Sequence, residues 1–286
     1  MAAHLVLLRF AIGFSNPTFM KMAVHARRFL PLICLLVAFN ACRVNDIAEE
    51  EPIFTGEPEY AIDLFEQRDS MDGSPTFGLW VERLDLSPCE GYGVDATAQV
   101  NGSDIEVAIL GLQEKTPCVG DSAPAKRFVP IGNLPDGTYT FSLSIFDVIE
   151  NNGSLTVTNG RYTLSLPNAQ GVFIENFILE PLPDGIIWGY AATPDEASQP
   201  VADNFIADLK ALTTAHGLAP GFYSYFTVSG TGDIILHKRI APKGPAKLFL
   251  YKRAASPDVL RGLLQNYRDS SQQPLTIKCW TTQGEL

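Results

Sequence analysis

The chain has 286 residues and a mass of 31.2 kDa, is 46% hydrophobic and 19% charged, and carries a formal net charge of −11. That is enough apolar material for one or two packed cores and excludes wholesale disorder. The acidic balance excludes a binder of phosphate backbones, which needs a basic footprint. The 23 Gly and 20 Pro point to a turn-rich, β-rich chain, while five Cys and four His supply little for a metal cluster, so neither metal nor cofactor is expected.

The N-terminus reads as an export signal. Lys21, Arg27 and Arg28 form a basic region, Phe29 to Phe39 is an apolar run too short to span a bilayer, and Asn40-Ala41-Cys42 follows. Met20 and Met22 each open a signal of ordinary length, which makes residues 1–19 an upstream extension. This stretch resembles a bacterial lipoprotein signal, with the small Ala41 before the Cys; Phe39 and Asn40 give it the looser form of Bacteroidota. The resemblance implies that residues 1–41 are removed and that Cys42 is lipidated. It places the protein in the cell envelope, lipid-anchored at the outer membrane. A plain secretory cleavage site would need a small residue where Phe39 stands.

Removal of residues 1–41 leaves 17 basic against 32 acidic residues, a net charge of −15. Residues 42–58 are acidic, carry two Pro and lack periodicity, as expected of a flexible tether. An acidic run behind the lipidated Cys also resembles the surface-export signal of Bacteroidota lipoproteins.

From 59 to 182 the pattern has period two. Val94, Ala96, Ala98 and Val100 alternate with polar residues, Asn101-Gly102 follows, and Ile105, Val107 and Ile109 alternate again. Asn-Gly between alternating runs signals a hairpin with a type I′ turn, and it recurs at Asn159-Gly160. Tyr139, Phe141, Leu143 and Ile145 form another half-buried strand, and Phe173 to Leu179, apolar on both faces, reads as a central one. Seven to nine short strands predict an antiparallel β-sandwich that resembles immunoglobulin-like domains in texture, without their Cys…Trp…Cys signature.

Pro181 and Pro183 mark a boundary, and the period then changes. Ile186 to Ala192 reads as a strand, Pro200 to His216 as a helix capped by Gly217, and Phe222–Val228 with Asp233–Lys238 as a hairpin. Leu248–Lys252 is a strand, Ser256-Pro257 opens a second helix, and Leu275 to Thr281 is the last strand. The order βαβββαβ over 184–286 resembles a ferredoxin-like α+β domain with one added strand. Residues 42–184 have net charge −17 and residues 185–286 net charge +2. Because exposed pairs contribute little, the expected reading is two differently solvated surfaces, not a basic stretch of Lys238, Arg239, Lys243 and Lys247 docked on the sandwich.

Cys89 and Cys118 sit at the far ends of the 94–110 hairpin, which brings its ends together, so an oxidising compartment should bridge them; Cys279 alternates with Ile277 and should be buried and free. His216 and His237 are the His that remain after residue 41, and no nucleophile elbow or H-E-x-x-H is present, so no catalytic residue and no enzymatic activity is assigned. Strand parity gathers Trp188, Tyr190, Tyr223, Tyr225, Phe249, Tyr251 and Trp280 on one sheet face, opposite the helices. Such a platform either binds a ligand or packs against the sandwich or a partner. The sequence thus reads as a lipid-anchored envelope protein with a non-catalytic binding or assembly role, partnered by glycan or protein and not by nucleic acid. The alternative is an envelope hydrolase with a site between the domains.

Overall fold

Tight turns set the first sheets. The computed structural model describes residues 56–68, 74–270 and 275–286, so the signal segment, Cys42 and the tether up to residue 55 lie outside the described residues. Ten strands come first: β1 (Tyr60–Arg68), β2 (Pro75–Ser87), β3 (Gly93–Asn101), β4 (Asp104–Gln113), β5 (Ala123–Pro130), β6 (Gly137–Ile145), β7 (Ile149–Thr158), β8 (Arg161–Ser165), β9 (Val172–Ile174) and β10 (Ile178–Leu179). They make a four-stranded sheet, β5-β2-β1-β9, and a six-stranded sheet, β10-β8-β7-β6-β4-β3. The inward residues of both, among them Ile62, Leu64, Leu79, Ile105, Val107, Phe141, Leu143 and Leu155, share one core.

At Asn159-Gly160 both φ angles are positive, 52° and 76°, as a type I′ turn requires. The other Asn-Gly differs from expectation. Asn101 pairs with Asp104, so the two-residue loop is Gly102-Ser103 and only Gly102 is left-handed, the pattern of a type II′ turn. Nor is the pairing wholly antiparallel: β1 runs parallel to β9 and β4 parallel to β6, because β5 crosses to the other sheet between β4 and β6. The 173–179 run is not a central strand. It divides into β9 and β10, an edge strand for each sheet, which leaves Phe173, Phe177 and Ile178 exposed.

Cys89 and Cys118 are disulfide-bonded with a Cα separation of 5.7 Å, and Cys279 is free and buried. Closing a loop of this length stabilises by about 3–4 kcal/mol in the chain-entropy model. The paired Cys89→Ser and Cys118→Ser variant is expected to lose that much in urea unfolding, and an unchanged midpoint would contradict it.

The chain continues through β11 (Ile186–Ala192), α1 (Gln199–Ala211), β12 (Thr213–Ala215), β13 (Gly221–Phe222), β14 (Phe226–Val228), β15 (Ile234–Leu236), β16 (Ala246–Arg253), α2 (Pro257–Ser270), β17 (Thr276–Thr281) and β18 (Gly284–Glu285). Ser256 accepts from Val259 N at 3.4 Å at the start of α2, as expected of an N-cap. The first helix stops five residues before the expected end at His216. The Thr213 hydroxyl donates to the Leu209 carbonyl at 2.9 Å, and the β-branched Thr213-Thr214 pair enters the sheet beside β16. The antiparallel order is β12-β16-β11-β17-β18. The expected hairpin at 222–238 does not join it; β13-β14-β15 is a separate three-stranded sheet.

Candidate functional site

The seven aromatic residues assigned to one face divide between two. Trp188, Tyr190, Tyr223, Tyr225 and Trp280 pack together with Phe226 and Leu250, whereas Phe249 and Tyr251 lie on the helix side with Phe205, Leu260 and Cys279. Register explains the split: Trp188 pairs with Leu250 and Trp280, and Gly189 pairs with Phe249 and Cys279. A side chain at Gly189 would run into the Lys278 backbone carbonyl of β17 before it met the Phe249 ring at 2.8 Å, so the glycine admits both the neighbouring strand and that ring. Nor do Tyr223 and Tyr225 belong to the five-stranded sheet; they sit in the β13–β14 turn, held by Ser224 at φ 62°.

The centre of the aromatic layer is interior, with Tyr190, Tyr225 and Trp280 half-buried at its margin. Trp188 is 1% exposed and lies 5.2 Å from the Tyr225 ring, and Tyr225 in turn lies 5.0 Å from Phe65 of β1. The layer therefore joins the five-stranded sheet to the outer face of the four-stranded sheet through β13–β15. It accounts for β1 being buried on both faces over Tyr60–Phe65.

Beside this layer lies a cluster that the sequence did not single out. Asp63, 2% exposed, accepts from Asn176 Nδ2 at 2.9 Å through Oδ1 and faces His237 Nε2 at 3.2 Å through Oδ2. Glu175 lies 3.9 Å from the same Nε2. On the far side of the ring, Nδ1 accepts from Arg239 N at 3.4 Å and Nε at 3.1 Å. The Arg239 guanidinium is stacked between Phe65 and Trp80, 3.9 and 4.0 Å from their centroids. Burial pulls Arg239 down to about 10, against Asp63, Tyr225, Glu82 and Glu175, which oppose the shift. Burial also lowers Lys238, but its hydrogen bonds to Glu175 and Glu82 outweigh that and raise it overall. Its ammonium lies 2.8 Å from Glu175 and 3.2 Å from Glu82.

Asp63, Glu175 and His237 have a ligand set and spacing that could hold a metal ion. The donors around them do not fit one. Arg239 occupies the Nδ1 lone pair, which leaves the proton at Nε2, where a metal would need a lone pair. Lys238 already neutralises Glu175. The same geometry disqualifies the Asp–His pair as a catalytic dyad, since the nitrogen that would face a nucleophile faces a guanidinium. The cluster is a brace between β1, β9 and the segment after β15. Two of the four residues of the Lys238–Lys247 basic stretch do meet the acidic sandwich, contrary to the expectation of two solvated surfaces; Lys247 pairs instead with Asp203 of α1.

A cleft of about 420 Å³ lies where the two parts meet, lined by Arg68, Asp184, Arg253, Thr281, Thr282 and Gln283 among others. Asp184 is its one carboxylate among the described residues, almost fully exposed and 3.6 Å from Arg68. That is no acid–base pair for hydrolysis.

The other outer face is different. With the four-stranded sheet covered, the six-stranded sheet presents its outward residues to solvent. Register sets them in rows: Gln99–Glu106–Ser142–Asn152 and Thr97–Ala108–Ser144–Glu150, followed by Asn101–Asp104–Thr140–Ser154. The small Ala108, Ser142 and Ser144 form the floor of a trough of about 430 Å³ with Gln99, Glu106, Glu150 and Asn152 around it. Among the described residues, the side chains of Thr97, Gln99, Glu106, Ser144, Glu150 and Asn152 make no hydrogen bond or ion pair with the protein. No pattern in a single strand announces this face; it emerges only when four alternating strands are set in register.

No family model, curated protein or solved structure matches the chain.

Proposed function

We propose that the chain is a non-catalytic binding protein of the cell envelope, anchored at the outer membrane through Cys42, and that it takes a glycan in the trough of the six-stranded sheet. The observation that carries this reading is the row of unpaired hydroxyl, amide and carboxylate groups on a rigid sheet. Sugar hydroxyls are donors and acceptors at comparable spacing, and strands about 4.8 Å apart offer a matching ladder. Apart from the small Ala108, no hydrophobic side chain faces this floor, since Val107 and Leu143 point into the core. With no aromatic ring in the trough to stack on a sugar, recognition rests on hydrogen bonds, each contributing about 0.5–1.5 kcal/mol.

The hydrolase alternative gains nothing here. Glu106 and Glu150 stand two strands and two residues apart, roughly 12 Å between backbones, and both are solvent-exposed, whereas a general acid needs a desolvated carboxyl. The order β12-β16-β11-β17, with α1 joining β11 to β12 and α2 joining β16 to β17, supports a ferredoxin-like reading of the last part with β13–β15 inserted.

The test is an array of neutral and amino-sugar glycans. The chain should bind a subset, and the combined Gln99→Ala, Glu106→Ala and Asn152→Ala variant should bind at least about tenfold more weakly with unchanged thermal stability. Equal binding by the variant would remove the trough from the account.

A further inference from the structure

One pole of the sandwich holds its apolar side chains outward by three separate devices. In β2 the register slips between Glu82 and Leu86, three residues of β2 standing opposite Ala125 of β5, and Leu84 and Leu86 are exposed. In β4 the register slips at Leu110, which has no partner between the Asp95–Gly111 and Ala96–Ile109 pairs and is also exposed. Between β6 and β7, Phe146 and Asp147 both take left-handed backbone, φ 54° and 55°, in a three-residue tip that ends in Val148. Left-handed backbone is unfavourable for a Phe, and such strain and bulges persist where the presented side chain has a use. Phe146 is 43% exposed and Val148 82%.

These features are neighbours. Tyr60 opens β1 opposite Arg83 of β2, its ring lies 6.3 Å from Phe146, and Leu84 N donates to Glu59 O. Phe146 N donates to Ile109 O, next to Leu110. Exposed Val119 pairs with Glu90 beside the Cys89–Cys118 bridge, which ties the two connections at this same pole. Glu59, just before β1, is where the chain arrives from Cys42. Glu59 lies 17 residues beyond Cys42, a separation of at most roughly 60 Å. The opposite pole, with the Gly102-Ser103 turn, stands about 30 Å further along the strands.

Resting on the reading of Cys42 as a lipid anchor, we infer that this pole docks on the membrane that holds the anchor, with the Phe146–Val148 tip entering the headgroup region. An apolar tip of this size binds an interface weakly alone, but tethering raises its effective concentration and makes shallow insertion persistent. The rim sets the lipid class. Asp85, Glu90, Asp121 and Asp147 are exposed there, against Arg83, which pairs with Asp85 at 3.7 Å, and Lys115. An acidic rim is repelled by anionic headgroups and compatible with zwitterionic ones.

Fractionation of Cys42→Ser tests the anchor itself: loss of membrane association supports it, and retention refutes it. Docking is tested separately on the chain from Cys42 onward, coupled through that thiol to a maleimide lipid in phosphatidylcholine–phosphatidylethanolamine vesicles, whether or not the cell lipidates Cys42. In Val148→Trp the added fluorescence should shift to the blue and be quenched by brominated lipid, and added phosphatidylglycerol should weaken both effects. Ser103→Trp, at the far pole, should show neither. Equal responses at the two positions, or no response at Val148→Trp, would overturn the inference. A blue shift that depends on protein concentration without vesicles would assign the pole to self-association and overturn it as well.

Discussion

Asp63→Ala is expected to lower stability by about 3–5 kcal/mol, the cost of removing one member of a buried charged network. Both carboxylate oxygens are engaged, by Asn176 and His237, and its charge is the first of those opposing the desolvation of Arg239. The truncation leaves the Asn176 amide and the imidazole N–H without acceptors and the Arg239 guanidinium without its main opposing charge, and buried donors without acceptors cost more than their hydrogen bonds contribute. The effect should be cooperative. In a double-mutant cycle, Asp63→Ala and Arg239→Ala should together cost less than the sum of the single changes, since each removes what the other leaves uncompensated. Urea denaturation of the four proteins measures this, and strict additivity would show that the brace is not one network.

Trp188→Ala is expected to cost about 3–5 kcal/mol, as large-to-small changes at packed aromatic sites do. The indole lies against Tyr225 and Phe226, and the cavity would open between β11 and the three-stranded sheet. Its Nε1–H is buried without an acceptor, so Trp188→Phe should recover most of the loss. Glycan binding measured on the folded fraction should be unchanged, because the trough is on another sheet. Lost binding with intact stability would instead return the aromatic layer to the role of a ligand platform.

What was legible in the sequence followed from local rules. Alternation of apolar residues and the Asn-Gly turns located the sheet-forming strands, and the 94–110 hairpin, whose ends come together, located the Cys89–Cys118 disulfide. The failures came where a strand is covered on both sides. In β16 the run Leu248-Phe249-Leu250-Tyr251 has no polar face, so period two cannot orient it. Gly189, directly opposite Phe249, carried a signal, because a position without a side chain leaves room for a neighbouring ring and for the Lys278 backbone. The apolar run around Asp63 in β1 is the same case: a lone carboxylate there must be buried and paired, which marks a brace. Its partners at 175–176 and 237–239 are more than a hundred residues away, and no local pattern names them. The rows across the six-stranded sheet are likewise products of register, with the parallel β4–β6 pair setting Glu106 beside Ser142.

The most direct test of binding in the trough is an NMR titration of the isotopically labelled chain with soluble oligosaccharides taken from the array. The account predicts concentration-dependent amide shifts confined to the rows through Thr97, Gln99, Glu106, Ser142, Ser144 and Asn152, with the junction around Arg68 and Arg253 unmoved. Shifts centred on that junction, or none on the six-stranded sheet with any glycan, would contradict it.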